Sequence, residues 1–349
     1  MKRLNTRLIT PQLCAVILLI MLPLVSVLGL MTGPVFIPLS DILSIMLAGD
    51  GAANGSNSQE KLIIEIIRLP RVMLSLIVGA LLAACGALLQ GLFRNPLADP
   101  ALIGVSAGAS VGASSVIVFG SMVTSGGVML GLSAISIGAF GGAIVASVII
   151  YRLATGPQGT SVATMLLAGI AISALAGAAT NTLSYLADND MLRRISLWQM
   201  GNLQGASWER VGLGALTAGC LAVLIPRETG ALNAMLLGES EARHLGINVE
   251  WLKRRLIIYS ALGVAISVAI AGVIAFVGLM VPHLIRLLVG PDHRSLLPLS
   301  ALAGAILLVA ADALARVVIA PAELPVGIVT ALLGAPFFLW LLVLQRGRS

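Results

Sequence analysis

The sequence predicts an all-α membrane protein of about ten transmembrane helices, a single domain over residues 1–349, and three observations lead there. The chain is 58% hydrophobic and only 10% charged, with a mean hydropathy of +1.03, whereas a soluble domain carries roughly a quarter charged residues. Uncharged stretches recur along its length: Leu13 to Met31, Val72 to Phe93, Ala101 to Ile150, Leu153 to Ala187, Val211 to Pro226, Leu256 to Pro282 and Leu324 to Gln345. Each reaches or approaches the ~20 residues a helix needs to cross the hydrocarbon layer, and several are long enough for two crossings. None alternates with period two, which excludes barrel strands.

At the N-terminus, MKRLNTR precedes the first apolar run. No small-x-small cleavage site follows it, so this run is expected to be an uncleaved helix. Thr32 to Glu60 reads as an outer loop with an amphipathic piece, Leu39 to Leu47, and a flexible GDGAANGSNSQ tip. Among the 38 glycines, Gly104, Gly108 and Gly112, and then Gly169, Ser173 and Gly177, form small-residue ridges at four-residue spacing. Such ridges let helix backbones approach closely in lipid. Cys14, Cys85 and Cys220 lie in different apolar runs without metal-ligand spacing, so neither a disulfide framework nor a zinc site is expected.

The net charge of +6 comes from basic residues scattered between apolar runs, which points to membrane orientation and away from nucleic acid. With both termini cytoplasmic, fourteen of the 21 Lys and Arg fall inside: Lys2, Arg3, Arg7, Arg94, Arg152, Arg227, Arg243, Lys253, Arg254, Arg255, Arg286, Arg294, Arg346 and Arg348. Lys61, Arg68, Arg71, Arg193, Arg194, Arg210 and Arg316 fall outside, a bias in the direction of the positive-inside rule. Only thirty residues separate Arg255 from Arg286. Both ends are basic, so two short helices meeting near Gly272 are expected there, one of them shortened or broken. Gly-interrupted segments of this kind tend to line transport pathways.

Pro226 to Arg255 is the longest cytoplasmic segment. Within it, Gly238 and Gly246 bracket a short polar helix with Glu239 and Glu241 near its start and Arg243 and His244 near its end, a charge order that suits the helix dipole. It is either a docking knob or an ordinary solvated loop. A P-loop needs G-x-x-x-x-G-K-[ST], and none of the three lysines, Lys2, Lys61 and Lys253, follows a glycine. Any ATP-derived energy must therefore come from a partner. No HExxH, no paired intramembrane acids and no nucleophile with a base at helical spacing points to an enzyme. The acids gather at expected helix ends or loops, which disfavours an ion-coupled secondary transporter.

Several stretches together resemble one family, the iron-chelate and cobalamin uptake permeases of ABC importers. They are RLPR (Arg68 to Arg71), GALLQGLFRNPLADPALIGVSAGA (Gly86 to Ala109), LLAGIAIS (Leu166 to Ser173), LWQMGNLQGASW (Leu197 to Trp208), LGESEARHLGINV (Leu237 to Val249), GVIAFVGLMVPHLIRLLVGPDHR (Gly272 to Arg294) and ELPVGIVTALLGAPFFLWLL (Glu323 to Leu342). The resemblance implies a type II importer permease fold in a bacterial inner membrane. It further implies a homodimer, two ATP-binding subunits inside that hold ATP and Mg, and a periplasmic substrate-binding protein outside. This chain would bind no cofactor or metal itself.

By the same resemblance, Glu239, Glu241, Ala242, Arg243, Leu245 and Gly246 form the ATPase coupling helix. Asn95 and Leu97 of the RNPLADP turn, with Thr160 and Ser161 of the GPQGTS turn, match the cytoplasmic gate; the plainer alternative is that they cap helix ends. Arg68, Arg71 and Arg316 match arginines that receive acidic residues of the binding protein, against local pairing of Glu65 with Arg68 and Asp312 with Arg316. His244, His283 and His293 are given structural or interface roles. The cargo of the family is ferric siderophore, heme or cobalamin. The stretch Ser184 to Leu203 looks more like the heme members.

Overall fold

The structure, a computed structural model, describes residues 8–48, 57–123, 128–157 and 159–346. It is helical apart from one short hairpin among these residues. The order is α1 (Pro11–Met31), α2 (Leu39–Ala48), α3 (Asn57–Leu62), a π-turn (Ile63–Arg68), α4 (Leu69–Leu92), α5 (Val105–Val123), α6 (Val128–Ala154), the hairpin Thr155–Gly156/Gly159–Thr160, and α7 (Val162–Leu186). Then come α8 (Asn189–Gln199), α9 (Trp208–Leu224), α10 (Thr229–Met235), α11 (Glu239–His244), α12 (Val249–Ala271), α13 (Val277–Val289), α14 (His293–Val317) and α15 (Val326–Arg346). Seven of the described helical stretches are long and apolar enough to cross a membrane, and Val105–Gly120, Val277–Val289 and Val326–Leu341 are shorter apolar helices.

α4 is the central post, with nearly every residue buried from Val72 to Leu92 on the faces that meet α9, α12, α13 and α14. Apolar side chains gain little by leaving lipid, so close backbone approach has to hold the bundle. On Gly79 a Cβ would stand 2.2 Å from the Gly304 carbonyl oxygen, which fixes the α4–α14 crossing. Gly108 and Gly112 likewise press on Gly142 and Gly138 of α6, at 2.3 and 2.0 Å from their carbonyl oxygens. The first expected ridge therefore packs, except that Gly104 lies outside α5 with φ +70. The second packs only in part: Gly169 is buried and Ser173 half-buried, while Gly177 faces open space.

Two expectations about elements are corrected. The helix expected from Val72 is continuous from Gln59, because Arg68 and Arg71 are accommodated inside the protein. α12 is full length at 23 residues, and only α13, at 13, is short. They do part at Gly272, whose φ of +72 and approach to the Trp198 carbonyl, 2.4 Å from a Cβ there, admit glycine alone. The amphipathic piece after α1 is α2, while residues 49–56 of the expected flexible tip lie outside the described residues. So do Lys2, Arg3, Arg7 and Arg348. Cys14 and Cys85 are packed, Cys220 is exposed, and all three are free thiols.

Candidate functional site

Polar side chains gather at the two ends of α4, whose 24 residues separate them by about 36 Å. At the end where α4 begins, Arg68, Arg71 and Arg316 are only 4%, 5% and 2% exposed. Helix α1 ends without a basic residue in its last turn, leaving carbonyls that need donors. Arg68 donates from Nη1 to Leu30 O at 2.6 Å and Met31 O at 3.0 Å, and from Nη2 to Val35 O. Arg316 donates to Gly29 O at 2.8 Å and Thr32 O at 2.9 Å. Arg71 holds Asp312 through Nε at 2.9 Å and Nη2 at 2.8 Å, and Glu323 through Nη1 at 2.8 Å.

Asp312 also meets Nε of Arg316 at 3.2 Å, and Glu323 accepts from Gln204 at 3.0 Å. Burial raises the Glu323 carboxyl, but its hydrogen bond and charge contact with Arg71, then Gln204 and Arg316, more than offset this and hold it below the usual range. The expectation of arginines presented to a docking partner is thereby corrected as to exposure: their donors point inward, because a desolvated guanidinium has to be satisfied by fixed acceptors. The Asp312–Arg316 pair expected from spacing is present, whereas Glu65 pairs with Lys61 at 4.0 Å. Glu323 and Gln204, absent from the sequence-based set, sit in loops where no spacing rule links them to Arg71.

At the opposite end, Gly238 at φ +130 and Gly246 at φ +81 frame α11. Ala242 is buried beneath it, while Glu241, Arg243, His244, Leu245 and Gly246 are exposed, Leu245 by 64%. One small inward residue and an outward mixed surface suit a projecting knob. Two turns lie beside it. In the first, the Asn95 side chain accepts from Leu97 N at 2.9 Å and both residues are exposed. In the second, Thr160 is buried, its hydroxyl 3.1 Å from that of Thr155, and Ser161 caps α7 by accepting from Thr164 N at 3.3 Å. A cavity of about 540 Å³ is lined by Arg94, Thr160, Ser161, Glu239, Arg243 and Lys253 among others, so the second turn and α11 share one space. Asp292 at this end is kept below the usual carboxylate range by the Arg294 backbone N–H, against some burial, with help from Asn233. His283 and His293 are buried and His244 is exposed.

A bundle of apolar helices with glycine-cemented crossings and charged clusters at its two ends is a multi-pass membrane protein. Residues 18–344 match the FecCD transport family, and the chain belongs to it. It is 49% identical over 282 residues to the hemin transport system permease protein HmuU of Yersinia pestis, covering 80% of this chain and 83% of that one. It is 46% identical over 285 residues to the cobalamin import system permease protein BtuC of Halobacterium salinarum, covering 81% and 73%. A solved structure described as an inward-facing metal-chelate type ABC transporter superposes with a TM-score of 0.79 at 31% identity, covering 96% of this chain and 99% of that one. The chain is thus a permease subunit of the ABC importer class.

Proposed function

We propose that the chain is the membrane-spanning half of an ATP-driven importer that carries a bulky iron complex, heme ahead of ferric siderophore, from periplasm to cytoplasm. The 49% identity to a hemin permease across most of both chains is the observation that carries the choice of cargo. The seven long and three shorter apolar helices support ten crossings, with both termini cytoplasmic in a bacterial inner membrane. A second copy completes the pathway, two ATP-binding subunits supply hydrolysis with their own ATP and Mg, and a periplasmic protein delivers the cargo.

In this reading α11 seats in the ATPase, and Asn95, Leu97, Thr160 and Ser161 form the inner gate. The binding protein docks over the end that holds the arginine cluster. Arg68, Arg71 and Arg316 shape that surface from beneath, and Arg193 and Arg194 of α8, both exposed, offer cations to its acidic side chains. A cobalamin cargo is the second reading, favoured by the 46% identity to a cobalamin permease.

The test is uptake by proteoliposomes holding the permease, its ATPase and its binding protein, offered hemin, a ferric siderophore or cobalamin. ATP-driven accumulation of hemin is expected. Accumulation of cobalamin alone would move the assignment to the second reading.

A further inference from the structure

We propose that Lys253 is a positioning residue that ties α11 to the Thr155–Thr160 hairpin, so that a displacement of α11 is delivered to Thr160 and Ser161 through one buried ammonium. The inference rests on the reading of α11 as the ATPase-docking helix, and adds the route by which docking reaches the inner gate.

An ammonium has three donors and no acceptor, and Lys253 spends all three on three different elements. Nζ lies 2.9 Å from Glu239 Oε2 at the start of α11, 3.1 Å from Thr160 O in the hairpin and 3.3 Å from Glu250 Oε1 in the first turn of α12. Lys253 is only 4% exposed. Glu250 in turn accepts from Thr160 N at 2.8 Å, so Thr160 is gripped at both its N–H and its C=O. Gly159, at φ +103, lets that carboxylate lie flat on the strand: a Cβ there would stand 2.6 Å from Glu250 Cδ. Ser161, the next residue, starts α7 as its cap. Arg243 of α11 faces the same two carboxylates at 3.9 and 3.7 Å, and is mostly exposed.

A buried ammonium that loses an acceptor is left with an uncompensated charge, which is far costlier than losing a surface pair. Moving α11 therefore has two outcomes: the hairpin follows, or a buried bond breaks. The cavity of about 540 Å³ that borders Thr160, Ser161 and Lys253 leaves the hairpin room to follow. The sequence marks this link only as Glu250 and Lys253 at i, i+3; the Glu239 and Thr160 contacts need the fold.

The experiment compares wild type, Lys253→Met and Lys253→Arg in proteoliposomes of the complete complex, reading hemin taken up per ATP hydrolysed, together with hydrogen exchange at the Thr160 amide. In Lys253→Met, hydrolysis continues, cargo moved per ATP falls about tenfold, within the range of ordinary coupling free energies, and the Thr160 amide exchanges faster. Lys253→Arg restores most of the ratio. A wild-type ratio in Lys253→Met overturns the proposal, and so does a parallel loss of hydrolysis and uptake, which would make Lys253 a mere support for docking. If Lys253→Met does not assemble, Glu250→Gln keeps the shape while removing one charge. A lowered ratio is then expected, and an unchanged one overturns the proposal. Absence of ATP-driven uptake by the wild-type complex would count instead against the underlying importer reading.

Discussion

A guanidinium taken out of water must replace the hydrogen bonds it loses, and among their acceptors Arg71 and Arg316 share one carboxylate. Asp312 is buried and touches both, so its charge is the counterweight to two cations. Asp312→Asn keeps the size and removes the charge. It is expected to destabilise the detergent-solubilised protein by about 3 to 5 kcal/mol, the usual cost of stranding a buried charge; an unchanged unfolding midpoint would contradict the ion-pair account. Glu323 adds a pH dependence whose sign is set by its depressed carboxyl. A group whose folded value lies below its unfolded one stabilises above the unfolded value and loses that contribution as pH falls through the folded one. Thermal stability should therefore decline on acidification below the ordinary glutamate range, and Glu323→Gln should flatten that decline. A variant that tracks wild type through this range would show the pair to be idle.

Between elements, contact is decided by glycines that only the fold can rank. Gly79 and Gly212 look alike in sequence, each within an apolar helix. Yet a Cβ on Gly79 would collide with the Gly304 backbone, and one on Gly212 would meet nothing within 4 Å. Gly79→Ala should cost roughly 1 to 3 kcal/mol or more as α4 and α14 are forced apart, while Gly212→Ala should leave the unfolding transition where it is; equal effects would contradict the packing described. Much at this scale was legible. α11 occupies the span that Gly238, Gly246 and the charge order marked, and the break at Gly272 falls where a glycine interrupts an apolar run. The extension of α4 back to Gln59 was not legible, because a charged stretch reads as loop unless the carbonyls that will satisfy Arg68 and the acids that will satisfy Arg71 are known. Those partners lie 33 to 38 and 241 to 252 residues away in sequence. For the same reason the resemblance singled out Thr160 and Ser161 but not the lysine that grips Thr160.

For the whole molecule, the central claim is that this chain supplies a route through the bilayer and takes its driving force from a separate ATPase seated on α11. The composition and the recurring apolar runs established the membrane class, and the motifs from Arg68 to Leu342 indicated the family that residues 18–344 match. Cargo was less legible, since a single stretch, Ser184 to Leu203, was all in the sequence that leaned toward one cargo. The most direct measurement is hemin accumulation in proteoliposomes containing the permease alone, the permease with its ATPase and binding protein, or that complex carrying Gly246→Pro. Proline cannot adopt the φ of +81 found at Gly246 and removes the N–H that bonds to Arg243 O at 2.9 Å, so α11 loses its closing turn. The account predicts accumulation against a gradient only in the complete wild-type complex with ATP. Accumulation by the permease alone, or undiminished ATP-driven uptake with Gly246→Pro, would contradict it.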